Sequence, residues 1–298
     1  MTGQQRTVRV VRPGALTTVQ DRGRAGLAHL GVPRSGALDA AAHALANRLV
    51  GNSEGEPVLE TTLDGVALSF GCDAVAAVTG ALADVRVDQA AAGWCLPVHV
   101  RAGQVLDVGR ARRGVRSYLA VSGGLAVPAV LGSASADLLS GTGPAPLRAG
   151  DLLRLGTPQA PPPPVDAAPC PVPGSRADLP IHPGPRLGWL TGAGRAALTG
   201  QAWTVSPASN RVALRLSGPP LQRRPGELPS EGLVLGAVQV PPDGQPVIFL
   251  ADHPVTGGYP VVAIVDPGSL GACAQARPGT PVSFRWARPA ELSTPRRG

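Results

Sequence analysis

Gly and Pro punctuate this sequence so closely that its apolar segments stay short, and this limits the fold more than any other feature. The 298 residues include 39 Gly and 33 Pro, residues that serve turns and break long helices. Between them lie short alternating runs. Thr7 to Val11 stops at Pro13-Gly14, Val66 to Phe70 stops at Gly71, and Asp84 to Asp88 alternates apolar with charged side chains. Further strand candidates lie at 97–101, 104–109, 116–122, 151–155, 212–216, 232–240, 246–251, 260–265 and 281–286. Short strands separated by turn residues predict a mostly β chain, a sandwich or barrel. Aromatic residues make up only 3%, so the core has to be built from Val, Leu and Ala.

One segment departs from the pattern. Leu38, Ala42, Leu45 and Leu49 are spaced as a helical stripe and predict a helix near 37–50, with Ser35 as its cap and Gly51-Asn52 at its end. Asp39, His43 and Asn47 share another face of that helix. A carboxylate beside an imidazole suits acid–base work, but for His43 itself we expect a solvated polar face. Residues 157–175 hold Pro161 to Pro164, Pro169, Pro171 and Pro173, which fit neither a central strand nor a helix. We expect a linker or long loop there, dividing the chain into 1–156 and 176–290, with a loose tail from Pro289. Arg101-Ala102-Gly103 and Arg148-Ala149-Gly150 each precede a strand candidate, as does Arg277-Pro278-Gly279. The echo reads equally as duplicated barrel units or as one generic turn used three times.

All 27 basic side chains are Arg. Without Lys the chain cannot carry a phosphate-binding P-loop, a PLP Schiff base or covalent biotin. The net charge of +7 is spread along the chain, densest at Arg110, Arg112, Arg113 and Arg116, at Arg223-Arg224 and at Arg296-Arg297. With few aromatics to stack on bases, we read this as diffuse surface charge and expect no nucleic-acid partner. Cys72, Cys95, Cys170 and Cys273 form no C-x-x-C pair, and no His stands at ligand spacing, so no metal site is expected. They leave room for one isolated disulfide, though no secretory segment calls for it. Met1 to Arg12 is polar, and no apolar run has the length of a membrane span. The expected location is the cytoplasm.

Three stretches can carry chemistry. Residues 13–39 are rich in Gly and small polar residues and read as loop, a common setting for sites. Asn210-Arg211 precedes a strand; Asn can orient an amide and Arg can grip a carboxylate, while Asn in a turn is the plain structural alternative. Residues 227–260 include the hairpin signal Asp243-Gly244, and Thr256-Gly257-Gly258 could offer successive N–H groups to an anion.

Taken together, these segments resemble the allophanate hydrolase subunit 2 family, which includes the C component of 5-oxoprolinase and part of the urea carboxylase carboxyltransferase domain. The matching strings are PGALTTVQDRGR, GVPRSGALD, ANRLVGN, LETTLDG, VTGA, VSPASNR, RLSGP, ELPSEG, GAVQVPPDGQPV and TGGYP, in order from 13 to 260, with AQARPG continuing to 279. The resemblance implies tandem cyclophilin-like β-barrel subdomains with few short helices. It implies as partner a homologue of allophanate hydrolase subunit 1, the B component of 5-oxoprolinase. It also implies a LamB/YcsF-type third subunit and a small-amide site between subunits. ATP with Mg, shared with the partner, is the implied cofactor.

By position, Asn210, Asp39, Glu231 and Asp252 are the catalytic candidates. Arg211, Asn47, Gln239, Thr256, Gly257, Gly258 and Tyr259 are the binding candidates, and Glu60 also matches the pattern. Asn210 is the foremost substrate contact, because a neutral amide can orient a lactam or urea. The sequence departs from the pattern at Val261, where Lys is common, at Val212 to Arg215, and near Ser269. The implied activity is ATP-dependent opening of 5-oxoproline to glutamate, by a subunit inactive alone. The alternatives are half of a biotin-dependent urea carboxyltransferase, with the biotin on another chain, or a regulator that binds a kinase inhibitor.

Overall fold

The computed structural model describes residues 6–287; the tail expected from Pro289 lies outside them. Strands before the Pro-rich segment form one sheet and those after it another, apart from Glu231–Gly232 and Thr256–Gly257, which pair only with each other. In the first sheet, Leu16–Gln20, Val58–Thr62, Val105–Val121, Ala67–Phe70, Thr7–Arg12 and Leu152–Arg154 lie side by side in that order. Ala74–Val87 pairs along Val105–Val121 and carries the short strands Ala90–Ala92 and Val98–Val100. This path does not close and makes a half-barrel. The second sheet runs Ala177–Pro183, Val261–Val265, Ala237–Gln239, Val247–Phe249, Ala213–Ser217, Ala202–Val205 and Pro281–Trp286. It closes into a barrel where the first and last of these pair in parallel. The mostly β architecture with few short helices is therefore as expected.

Local differences have physical causes. The candidates at 104–109 and 116–122 are one 17-residue strand. Arg112 and Arg113 interrupt the apolar pattern but are exposed, and bulges around Leu82 to Val85 absorb the change of register. The loop reading of 13–39 fails at Leu16–Gln20, a strand paired with Val58–Thr62. Its alternation is hidden because Thr17, Thr18 and Gln20 are buried; Gln20 Nε2 donates to Thr18 Oγ1 and to the Ala136 carbonyl. The candidate strand 232–240 breaks at Gly236, whose φ of 81° does not suit a strand, leaving Glu231–Gly232 and Ala237–Gln239. The Asp243-Gly244 hairpin forms, with Gly244 N–H donating to Pro241. The Arg-x-Gly echo proves to be one turn used three times. Gly103, Gly150 and Gly279 have φ of 87°, 92° and 86°, and each turn closes on its Arg carbonyl.

Three helices are present among the described residues: α1 (Ala40–Leu49), α2 (Gly192–Gly200) and α3 (Leu270–Gln275). Helix α1 lies on the outer face of the half-barrel, packing Ala46, Leu49 and Val50 on Val58, Ala77, Tyr118 and Ala120. Its cap is Asp39, whose Oδ1 accepts from Ala42 N–H at 3.1 Å; Ser35 is engaged elsewhere. The solvated polar face expected at His43 is buried. His43 is 2% and Asn47 0% exposed, because the chain at 52–56 folds over them and the Glu56 carbonyl accepts from both. Among the described residues no helix is long and apolar enough to cross a membrane. Within the Pro-rich segment Cys170 is disulfide-bonded to Cys95, tying the segment to the half-barrel.

The two sheets are bolted together. Leu38, just before α1, sits in the barrel's own core cluster with Leu179, Trp203, Leu214, Ile248 and Phe284. Burying one such side chain stabilises by about 1.5–3 kcal/mol. Gln275 on α3 reaches back to the half-barrel: its Oε1 accepts from Val115 N–H and Arg116 N–H, and its Nε2 donates to the Arg116 carbonyl and to Asp39 Oδ2.

Candidate active site

The segment 33–39 threads the junction between half-barrel and barrel, and nearly every residue of it is held. Arg24 N–H donates to the Arg34 carbonyl at 2.6 Å. Ser35 adopts φ 54°, a left-handed conformation that costs a non-Gly residue energy and persists only where surroundings enforce it. Here its N–H donates to the Ala251 carbonyl and its hydroxyl to Asp137 Oδ2. Gly36 has φ 95°, and a Cβ there would lie 2.9 Å from Gly23 N, so the backbone of 22–23 presses directly on it. Ala37 N–H donates to the Asp21 carbonyl, Leu38 N–H to Glu60 Oε2 and Asp39 N–H to Tyr118 Oη. Polar groups held this tightly on a rigid scaffold suit a site.

The segment forms one wall of a cleft of about 500 Å³ between the two sheets. Its titratable lining is Asp21, Arg22, Arg34, Asp39, His43 and Glu54, and its apolar lining includes Leu38, Leu235, Leu250 and Leu270. Burial works to raise the Asp21 carboxyl, but Ser133, Ser135 and the N–H groups of Gly23 and Ala134 hold it below its ordinary value. Glu54 is held low by Arg48 and Arg22. Burial lowers the His43 imidazole, and Nε2 carries the hydrogen because it faces the Glu56 carbonyl. A larger groove of about 700 Å³ lies beside Arg6, His99, Arg101 and Pro158 to Pro162. Arg6 there is tied to the carbonyls of Gly156, Asp73 and Ser122, and no catalytic candidate lines that groove.

Behind the cleft wall lies a buried charge cluster. Arg211, 1% exposed, grips Asp252 through two bonds of 2.9 Å, pairs with Glu60 through Nη1, and donates to the Gly36 carbonyl. Arg116 lies 3.6 Å from Glu60. Burial alone would raise Glu60, but the guanidiniums of Arg211 and Arg116 hold it below the ordinary carboxylate value. Asp252 is raised by its burial. Glu60 and Arg116 belong to the half-barrel, Arg211 and Asp252 to the barrel, so the cluster fixes the angle between them.

The sequence candidates thus separate. Asp39 lines the cleft. Arg211 and Asp252, expected to meet substrate, instead join the two sheets: both are fully buried and face each other rather than the cleft. Asn47 is buried, donating to Glu56 and accepting from Asn52. Gln239 is buried, donating to the Tyr259 carbonyl. Glu231 pairs with Arg186 on the barrel's outer side. Asn210 is exposed, its Oδ1 accepting from Val212 and Ala213 N–H in a turn of its own. Thr256 and Gly257 form a short strand with Glu231–Gly232, and Gly258 and Tyr259 follow it. Val261, where the family pattern often has Lys, is buried with Leu233 and Phe249, so a cation there would lie outside the cleft. Sequence reasoning misses Arg34, although it stands inside GVPRSGALD; no local pattern marks which residue of a loop faces a cavity.

The cleft sets three carboxylates against a nucleotide's phosphates and, among the described residues, one unpaired cation, Arg34. Asp21, Asp39 and Glu54 line it, and the start of α1 is capped by a carboxylate rather than left open to an anion. Among the described residues no three His, Cys, Asp or Glu side chains gather to hold a metal.

Residues 30–286 match the model of the carboxyltransferase domain, subdomains A and B. The chain is 39% identical to the C component of 5-oxoprolinase from Escherichia coli over 283 residues, 93% of this chain and 90% of that one. It is 32% identical to the urea amidolyase of Saccharomyces cerevisiae over 302 residues, 93% of this chain but 16% of that one. Among solved structures, TTHA0988 superposes with a TM-score of 0.87 at 39% identity. The match covers 95% of this chain and 56% of TTHA0988, so this chain spans just over half of that protein.

Proposed function

This chain belongs to the carboxyltransferase-domain family of subdomains A and B, and from that premise we propose that it is the C component of a 5-oxoprolinase. The observation that carries the proposal is the similarity to the E. coli protein across nearly the full length of both chains. The urea amidolyase similarity covers a small part of a much larger protein and favours the carboxyltransferase alternative less.

In the reaction, water adds to the lactam carbonyl, the ring C–N bond breaks, the nitrogen takes a proton, and the carbonyl carbon becomes the new carboxylate of glutamate. A lactam presents one N–H donor and one C=O acceptor. Asp39 is the candidate that both lines the cleft and has a fixed carboxylate, held by Ala42 N–H and Gln275 Nε2. We assign it to accept the ring N–H and orient the amide, with the apolar walls around Leu38 and Leu250 limiting water. Such positioning lowers the barrier by pre-arranging the reacting groups. We assign ATP with Mg to a site shared with a partner, an allophanate hydrolase subunit 1 homologue, with a LamB/YcsF-type protein as the third component, because this cleft by itself offers the phosphates one unpaired cation.

The test is reconstitution. This chain, mixed with those two partners, 5-oxoproline, ATP and Mg, is expected to form glutamate and ADP together, and the chain alone is expected to form neither. An assembled three-part complex that leaves 5-oxoproline untouched would overturn the assignment.

A further inference from the structure

The cleft's charged side chains are already matched to one another, with one exception. Asp21 accepts from Ser133, Ser135 and two backbone N–H groups. Arg22 and Glu54 pair at 3.1 Å, and Asp39 accepts from Ala42 and Gln275. Arg34 alone of this lining has no side-chain hydrogen bond or ion pair among the described residues. It is exposed, yet its backbone is fixed on both sides, by the 2.6 Å bond to its carbonyl from Arg24 and by the strained Ser35 that follows. An exposed guanidinium on a fixed backbone in the lining of a cavity, with no ion pair among the described residues, is available to an anionic ligand group, and its planar fork matches a carboxylate.

We propose that Arg34 receives the carboxylate of the substrate and thereby selects an acidic lactam over a neutral amide. The inference rests on the 5-oxoprolinase reading and goes beyond it by naming the residue that sets substrate class. 5-Oxoproline carries a carboxylate on the carbon beside the ring nitrogen, and the proposal has its N–H meet Asp39 and its acid group meet Arg34, both of which line the cleft. Urea has no acid group and leaves Arg34 unmatched.

The experiment compares 5-oxoproline with 5-oxoprolinamide, its neutral carboxamide, in the three-part complex. The wild-type complex is expected to favour the acid in kcat/KM. Arg34→Ala is expected to raise KM for the acid by on the order of 10- to 100-fold, the range for losing a hydrogen bond to a charged group, so that the acid-to-amide ratio collapses. Arg34→Lys is expected to restore part of the ratio through charge without the fork. Arg34 is exposed, so assembly and melting temperature are expected to hold and serve as the folding control. An Arg34→Ala complex with the wild-type ratio, or one that loses both substrates equally, overturns the inference while leaving the 5-oxoprolinase reading intact. A wild-type complex that never opens 5-oxoproline overturns the reading itself, and the inference with it.

Discussion

Arg211 bonds to the Gly36 carbonyl, three residues before Asp39, and substitution at these two neighbours should separate a structural role from a chemical one. Arg211→Ala would leave Glu60 and Asp252 buried without their shared cation. Breaking a buried pair by removing one partner costs about 3–5 kcal/mol, so the denaturant midpoint is expected to fall sharply; an unchanged midpoint would contradict the bolt. Asp39→Asn should behave in the opposite way. Asn caps a helix nearly as well as Asp but offers Gln275 Nε2 no acceptor in place of Oδ2, so a stability loss of only about 1 kcal/mol is expected while glutamate formation falls at least tenfold, and full activity would remove Asp39 from the site. The buried groups also set a pH dependence. Glu60 has a folded value below its unfolded value near 4.3, so its stabilisation is complete above that pH and is lost as acid reaches the folded value. His43, lowered by burial, acts in the same sense at higher pH. The fold favours the neutral ring, and the unfolded chain takes the proton below about 6.5. The melting temperature is expected to fall from pH 7 to pH 5, and less so in His43→Gln; parallel curves would contradict it. None of this is legible locally. Arg211 finds Glu60 across 151 positions of sequence, and nothing in SPASNR says which way its Arg faces.

At the scale of elements, periodicity locates α1 and most strands, because alternation survives wherever one face is wet. It fails where both faces are covered. His43 and Asn47 read as a wet face because they are polar, yet the 52–56 loop supplies their partners. Leu16–Gln20 reads as loop because its buried Thr and Gln side chains bond to neighbours that pattern cannot see. The Pro-rich segment is legible as neither strand nor helix, but its tether is not, since Cys95 and Cys170 lie 75 residues apart. That tether gives a countable result. Burial pushes the Cys273 thiol up to about 12, so the native chain should take one alkylating group, at half-buried Cys72. The denatured, unreduced chain should take two, and the reduced chain four. Losing a native disulfide typically costs about 2–5 kcal/mol, and Cys170→Ser is expected to lose stability in that range. Four alkylations without reductant would show that the tether is absent in solution.

The whole molecule is a half-barrel and a barrel held at one angle by Leu38, by the Arg211 cluster and by Gln275, with the cleft as the space between them. The motif strings carry the family and, through it, the architecture. They cannot say that the polar lining of the cleft comes from the first motifs and not from the Asn210 and Thr256 to Tyr259 segments, because the cleft exists only once both sheets are assembled. The central claim is that this cleft is where the amide is processed, and filling it tests that most directly. Ala40 is exposed at the start of α1 and lines the cleft, so Ala40→Trp can occupy it with little disturbance to the core. The quantity to measure is glutamate formed from 5-oxoproline by the assembled complex carrying this variant. The account predicts a complex that assembles and melts like wild type but has lost turnover; wild-type turnover with the cleft filled would contradict it.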